Sequence, residues 1–199
     1  MGKLIKFNLF ILILFLLIGH SCNSREKSNS DGELSKTPSK SSQLILDDLY
    51  SQKDKFQLCE GEIDSSLSQD YSSVYPLNNR EYLVEILCFL GAYQGNYQYF
   101  LYTVKGQGVE IKPLSFQEFS KDKTDKFKLK DSRSIGGVPS YDEESKILTV
   151  YTKGRGLADC GSLAQYKWED TKFKLLEYRI KEKCDGNYLE PENYPKIYP

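Results

Sequence analysis

The chain has one histidine in 199 residues, His20, and it lies in the N-terminal apolar stretch. A domain without imidazole cannot assemble a Ser-His-Asp or Cys-His nucleophile, nor a histidine-ligated metal centre. Charge of one sign is lacking too, since 27 Lys and Arg face 28 Asp and Glu. A balanced surface has no electrostatic grip on a phosphate backbone, so nucleic acid is not an expected partner. No run of about 20 apolar residues is present, which is the length a helix needs to cross a hydrocarbon core of about 30 Å. Carboxylate chemistry survives these exclusions, because a pair of acids can hydrolyse a glycosidic bond. The acids are scattered, however, and no spacing selects two of them.

What is present begins at the N-terminus. Lys3 and Lys6 precede an apolar run from Leu9 to Ile18, followed by Gly19-His20-Ser21-Cys22. A basic start, a short apolar core and a small residue before the break mark an export signal, placed here at residues 1–21. Cys22 is then the expected lipid-bearing residue of a bacterial lipoprotein, and the membrane, reached through that lipid, an expected partner. Gly19 stands where a lipobox usually carries Leu, so ordinary cleavage near Ser21 and an uncleaved anchor are the alternatives. Loss of the leader removes Lys3 and Lys6 and no acid, leaving 25 basic against 28 acidic residues, a net charge of minus three. Residues 22–43 are rich in Ser, Lys, Asp and Glu with one Leu and no aromatic. Such a segment cannot bury enough apolar surface to offset the entropy of ordering it, and reads as a flexible tether. Residues 44–199 are long enough for one domain with its own core.

Four further cysteines, Cys59, Cys88, Cys160 and Cys184, form an even set in a chain marked for an oxidising compartment, which favours disulfides. Of the three possible pairings, Cys59 with Cys88 and Cys160 with Cys184 is favoured, because each pair is nearest in sequence and flanks its own set of strands. Each such bridge would stabilise the fold by about 3 kcal/mol. No two of these cysteines have the close spacing of a structural zinc site, so neither metal nor other cofactor is expected.

The composition, with 15 Tyr and 10 Phe, favours strands. Ser41 or Ser42 can cap a short helix that packs Leu44, Ile45 and Leu49. The run YLVEILCFL (Tyr82 to Leu90), apolar but for one acid, reads as a strand buried on both faces. A turn at Gln94-Gly95-Asn96 leads into YQYFLYTV, which completes a hairpin. Gly108 to Leu114 is a third strand, and the lysine-rich stretch after SFQEF reads as loop and exposed edge. Ile135 to Pro139 starts a turn, Asp142 to Ser145 makes another, and KILTVYTK alternates as a strand. SLAQYKW and KFKLLEYRIKE are strands joined at Glu169-Asp170-Thr171, with Tyr166 and Trp168 able to face Phe173 and Leu175 across the hairpin. The predicted fold is mainly β, an antiparallel meander or sandwich with a short N-terminal helix; a small propeller or barrel is the alternative.

The run VYTKGRGLADCGSLAQYKW (Val150 to Trp168), with FKLLEYRIKEKCDG (Phe173 to Gly186) after it, resembles a family of bacterial exported proteins classed as a domain of unknown function. The hairpin YLVEILCFLGAYQGNYQYFLY is similar to that family's aromatic, glutamine-rich hairpin. The resemblance covers Phe56 to Pro199 and is most specific in TKGRGLADCGS and the later CDG. It implies an envelope-located, β-rich, disulfide-containing domain, and it implies no activity, substrate or catalytic residue.

Within that motif, Lys153, Arg155 and Asp159 on a glycine-shaped loop form a candidate binding loop, with backbone amides free to meet an anion. The competing reading makes the loop structural: the glycines turn it, Cys160 ties it to Cys184, and Arg155 and Asp159 form a salt bridge. Tyr93, Tyr97, Tyr99 and Tyr102 pose a similar choice between a carbohydrate platform and sheet packing, with packing the default. Alternate members face opposite sides of a strand, so at most half could be presented together. The function expected is a non-catalytic envelope module that binds a protein or a cell-wall glycan. An inhibitor of a cell-wall hydrolase such as lysozyme, acting through the Gly154 to Gly161 loop, is one alternative; a carboxylate-dependent glycan hydrolase is another.

Overall fold

A computed structural model describes residues 40–199 apart from Glu62 and Asp64. The expected signal peptide, the lipidation at Cys22 and all but the last four residues of the tether lie outside the described residues. Those four open α1 (Lys40–Ser51), which is followed by α2 (Lys53–Phe56), a 3-10 turn over Leu58–Gly61 and α3 (Ser65–Tyr71). Helix α1 buries Ile45, Leu46 and Leu49, one face at helical spacing. Leu44, expected on that face, is instead exposed; Leu46 takes the place.

The first layer holds β1 (Ser73–Pro76), β2 (Glu81–Leu90), β3 (Gly95–Lys105) and β4 (Gly108–Pro113), paired antiparallel as β1-β2-β3-β4. The second is the meander of β7 (Ser134–Asp142), β8 (Ile147–Lys153), β9 (Gly161–Glu169) and β10 (Lys172–Lys181), with β11 (Lys196–Tyr198) on the outer edge of β10. Between them in sequence, β5 (Phe116–Lys121) and β6 (Phe127–Ser132) form a separate two-stranded ribbon. The architecture is the expected antiparallel sandwich and meander.

One strand belongs to both layers. β7 pairs through Ser134–Gly137 with the start of β3 and through Val138–Asp142 with β8. The sequence reading placed a turn at Ile135 to Pro139, and the structure corrects it to continuous strand. Gly137 lies at the switch with φ +148°, and a Cβ there would come within 2.6 Å of the Tyr151 carbonyl oxygen, so only glycine lets β8 approach. Pro139 is tolerated because that half of the strand has a partner on one edge only.

Apolar side chains fill two clusters. Leu83, Tyr99, Leu101, Leu148, Val150, Tyr166, Trp168 and Phe173 fill the space between the layers, and Phe116 of the ribbon stacks on Phe173 with ring centroids 5.2 Å apart. On the other face of β2 and β3, Ile45, Leu46, Leu49 and Leu58 cover Val84, Ile86, Phe100 and Tyr102. Leu83 to Cys88 is therefore buried without a break, which is why the run shows no alternation in sequence.

Two other local expectations change. The hairpin turn falls at Gly91–Gln94, closed by Gly91 N–H donating to the Gln94 carbonyl, so Gly95 and Asn96 already belong to β3. The lysine-rich stretch is the β5–β6 ribbon, because Phe116 and Phe119 turn inward while Asp122 receives the Thr124 and Lys126 N–H groups and closes the turn. The β9–β10 hairpin stands as expected, with Trp168 opposite Phe173 and Tyr166 opposite Leu175. Its turn residues, Asp170 and Thr171, both have positive φ, the backbone of a type I′ turn.

Candidate functional site

The loop between β8 and β9 is held from every side. Cys160 is disulfide-bonded to Cys184, and Cys59 to Cys88 ties the 3-10 turn to β2. The Arg155 guanidinium donates to both carboxylate oxygens of Asp159, Nε to Oδ1 at 2.7 Å and NH2 to Oδ2 at 2.6 Å. Arg155 also donates to the Cys184 carbonyl at 3.1 Å, and the Gly186 N–H donates to Asp159 Oδ2 at 2.6 Å. Lys181 caps the Asp159 carbonyl and reaches Asp185 at 2.8 Å. Gly161 has φ +152° and leaves no room for a Cβ beside the Thr152 carbonyl, so the chain leaves the loop pressed against β8.

These contacts define the surroundings of the candidate residues. Asp159 is buried, and Arg155 first, then the Gly186 amide, hold its carboxyl far below the usual carboxylate range. Both of its oxygens are engaged within the loop. Lys153 donates its N–H to Gln94 Oε1 at 2.8 Å, which fastens the loop to the β2–β3 hairpin. Asp159, Cys160 and Cys184 gather as three possible metal ligands, yet both sulfurs are bonded to each other and offer no thiolate.

The loop is rigid at its base and apolar at its tip. Leu157 is 72% exposed, and a Cβ on Gly156 would lie 3.8 Å from the Tyr93 ring. Beside Tyr93, at the end of the β2–β3 hairpin, Phe89 and Leu90 are also exposed. Four large apolar side chains, on the β8–β9 loop, the last two residues of β2 and the hairpin turn after it, thus stand in solvent at one end of the sandwich, where scattered single residues would be ordinary. The sequence reading passed over Leu157 and assigned Phe89 and Leu90 to a buried strand. The signal was Gly91, which ends the run and places its last two residues at the exposed end of β2.

The tyrosines divide as strand geometry demands. Tyr99 and Tyr102 are buried on opposite faces of β3, Tyr97 is half-buried, and Tyr93 is exposed in the turn. They form no common platform. Tyr99 donates its hydroxyl to Glu85 Oε2 at 2.6 Å inside the sandwich. Burial raises the Glu85 carboxyl to about 7, and the Tyr99 hydrogen bond opposes that only in part. The sequence reading missed this residue; the signal was a lone acid in YLVEILCFL. Glu85 and Asp159 are the buried acids among the described residues, and each is bonded to a different partner on a different element.

An antiparallel sandwich clamped by two disulfides defines a β domain of an oxidising, exported environment. No described helix is long and apolar enough to cross a membrane. The chain belongs to the family described as "Protein of unknown function (DUF1176)", whose model matches residues 25–199. It is similar to the "Uncharacterized protein YpfG" of Escherichia coli (strain K12), with 36% identity over 59 residues. That match covers 30% of this chain and 17% of the relative, so the chain spans about a sixth of that protein's length. No solved structure matches it.

Proposed function

We propose that the protein is a non-catalytic binding module of the bacterial envelope, tethered through lipid on Cys22, that engages a protein partner with the end carrying Leu157, Phe89, Leu90 and Tyr93. The carrying observation is the exposure of Leu157 at the tip of a loop whose base is locked by a disulfide and a bidentate ion pair. An apolar tip that loses little freedom on binding suits a protein surface, because the ordering entropy is already lost on folding. A cell-wall glycan is the competing ligand and would stack chiefly on Tyr93. The test is a photoreactive residue at position 157 in the native host. A discrete protein adduct that disappears with Phe89→Ser supports the reading; no adduct, together with co-sedimentation of the protein with cell-wall glycan, transfers the site to glycan.

A narrower form of this reading makes the protruding loop a plug for the cleft of a cell-wall hydrolase. Its support is the same Leu157, flanked by the half-exposed Arg155. Inhibition of lysozyme that Leu157→Asp abolishes would establish it. The address has its own measurement: intact mass of protein taken from host membranes, which should show an acylated Cys22 and a gain of four hydrogens on reduction.

A further inference from the structure

At the other end of the sandwich, we propose that the outer edge of β10 accepts an extended peptide of a partner protein as an added strand. The Asp170-Thr171 turn makes Glu169 and Lys172 the hydrogen-bonded pair that closes the hairpin, so Lys172 and Lys174 direct their backbone groups at β9. Phe173 and Leu175 must then direct their N–H and C=O groups to the opposite edge. Among the described residues that edge is paired only farther along, where β11 meets Tyr178 and Arg179 and the Ile180 N–H reaches the Pro195 carbonyl. Strand pairing on this edge therefore exists and stops, leaving Lys172 to Leu176 open over about 17 Å at about 3.4 Å per residue.

Protein design logic treats such an edge as a hazard to be covered. Here the ribbon stands near it without covering it. β5 closes on β10 where Phe119 meets Tyr178, with ring centroids 5.2 Å apart. Between the two elements lies an open groove of about 480 Å³ whose walls include Ser115 and Gln117 on one side and Lys172 on the other. Phe173, Lys174 and Leu175 of β10, Asp131 of β6 and Tyr198 of β11 complete its lining. A row of unpaired amides and carbonyls at a two-residue period is matched by one ligand chemistry, another polypeptide backbone in extended form. A lining that mixes Phe173, Leu175 and Tyr198 with Asp131, Lys172 and Lys174 suits a strand that carries both apolar side chains and charges of both signs. The ribbon walls one side of this edge, which disfavours edge-to-edge pairing with the whole sheet of a second copy.

The experiment pans a phage library of random decapeptides on the full, disulfide-bonded protein and reads amide exchange with the enriched peptides. The expected result is enriched sequences that slow exchange of the Phe173 and Leu175 N–H groups about tenfold or more at saturation, the equivalent of about 1.4 kcal/mol. Backbone N-methylated versions should lose the effect, and Ser115→Trp, which fills the groove from an exposed position just before β5, should abolish binding while leaving Lys174 exchange as it was. Absence of enrichment, or peptides that bind Ser115→Trp equally well, overturns the proposal. Protection already present in the protein alone also overturns it: relief on removing residues 1–39 would make the chain's own N-terminal segment the occupant, and protection that grows with concentration would make it a second copy. None of these results touches Leu157, so this inference and the envelope-partner reading fail separately.

Discussion

Tyr99 donates its hydroxyl to Glu85 at 2.6 Å in the middle of the sandwich, and among the described residues no cation offsets the burial of that carboxyl. The group is raised by burial to about 7 from an ordinary value of 4.5. A raised folded-state value means that the native protein binds a proton the unfolded chain has released. The stabilisation this gives is complete below about pH 4.5 and is lost as pH rises through about 7. Denaturant titrations between pH 5 and 8 should show stability falling by roughly 2–4 kcal/mol toward the alkaline end. Glu85→Gln keeps an acceptor for Tyr99 and should flatten that slope.

Asp159 has the opposite sign. Its carboxyl is depressed by Arg155 and the Gly186 amide, so its contribution is present above about pH 4 and lost as pH falls toward its folded value. Asp159→Asn should lower the melting temperature at pH 7 and leave the acid limb of the stability profile shallower than in the parent. Heat-induced unfolding monitored by circular dichroism from pH 2 to 7 checks both.

Replacing Cys160 and Cys184 together by Ser opens a loop of 24 residues and should cost about 3 kcal/mol in denaturant titrations. The amide of Gly154, bonded to the Cys160 carbonyl, should exchange faster in this variant, while those of β2 should not change beyond the global loss. A uniform increase across the domain would mean that the loop unfolds only with the whole.

Thr171 carries a β-branched side chain at φ +61° in a type I′ turn, where Gly is favoured. Thr171→Gly should stabilise the protein by about 1 kcal/mol. The check is a shift in denaturation midpoint without a change in slope.

Leu157→Asp sits on an exposed side chain without a packing role and should change stability by less than about 0.5 kcal/mol. It should nevertheless remove any adduct or inhibition traced to the loop. A large loss of stability would show that Leu157 packs in solution and would remove the ground for placing the partner there.

Strands with local signals were legible in the sequence. Ile147 to Lys153 alternates, and the β9–β10 hairpin announces both its turn and the facing of Tyr166 and Trp168 toward Phe173 and Leu175. The favoured cysteine pairing also matches the bridges present, since each joins neighbours in sequence. What escaped depends on distant partners. Gly136, Gly137 and Pro139 carry every local mark of a turn, and only the simultaneous presence of β3 and β8 makes them a strand. Phe116 and Phe119 read as loop because their contacts, Phe173 and Tyr178, lie more than fifty residues away. The candidate loop was legible as a motif, but the number of bonds meeting at Asp159 was not, since Lys181 reaches it from the far end of the next hairpin and Gly186 from beyond that hairpin.

The double allegiance of β7 bears on how the chain finds this fold. Its first four residues have a ladder only when β3 is in place, and the rest only when β8 is. Neither layer can reach its full complement of backbone bonds as an independent foldon, because each ends on a part of the same strand. Loss of either layer removes a ladder from the other, so the two should melt in one cooperative transition, with β7 as the element that couples them.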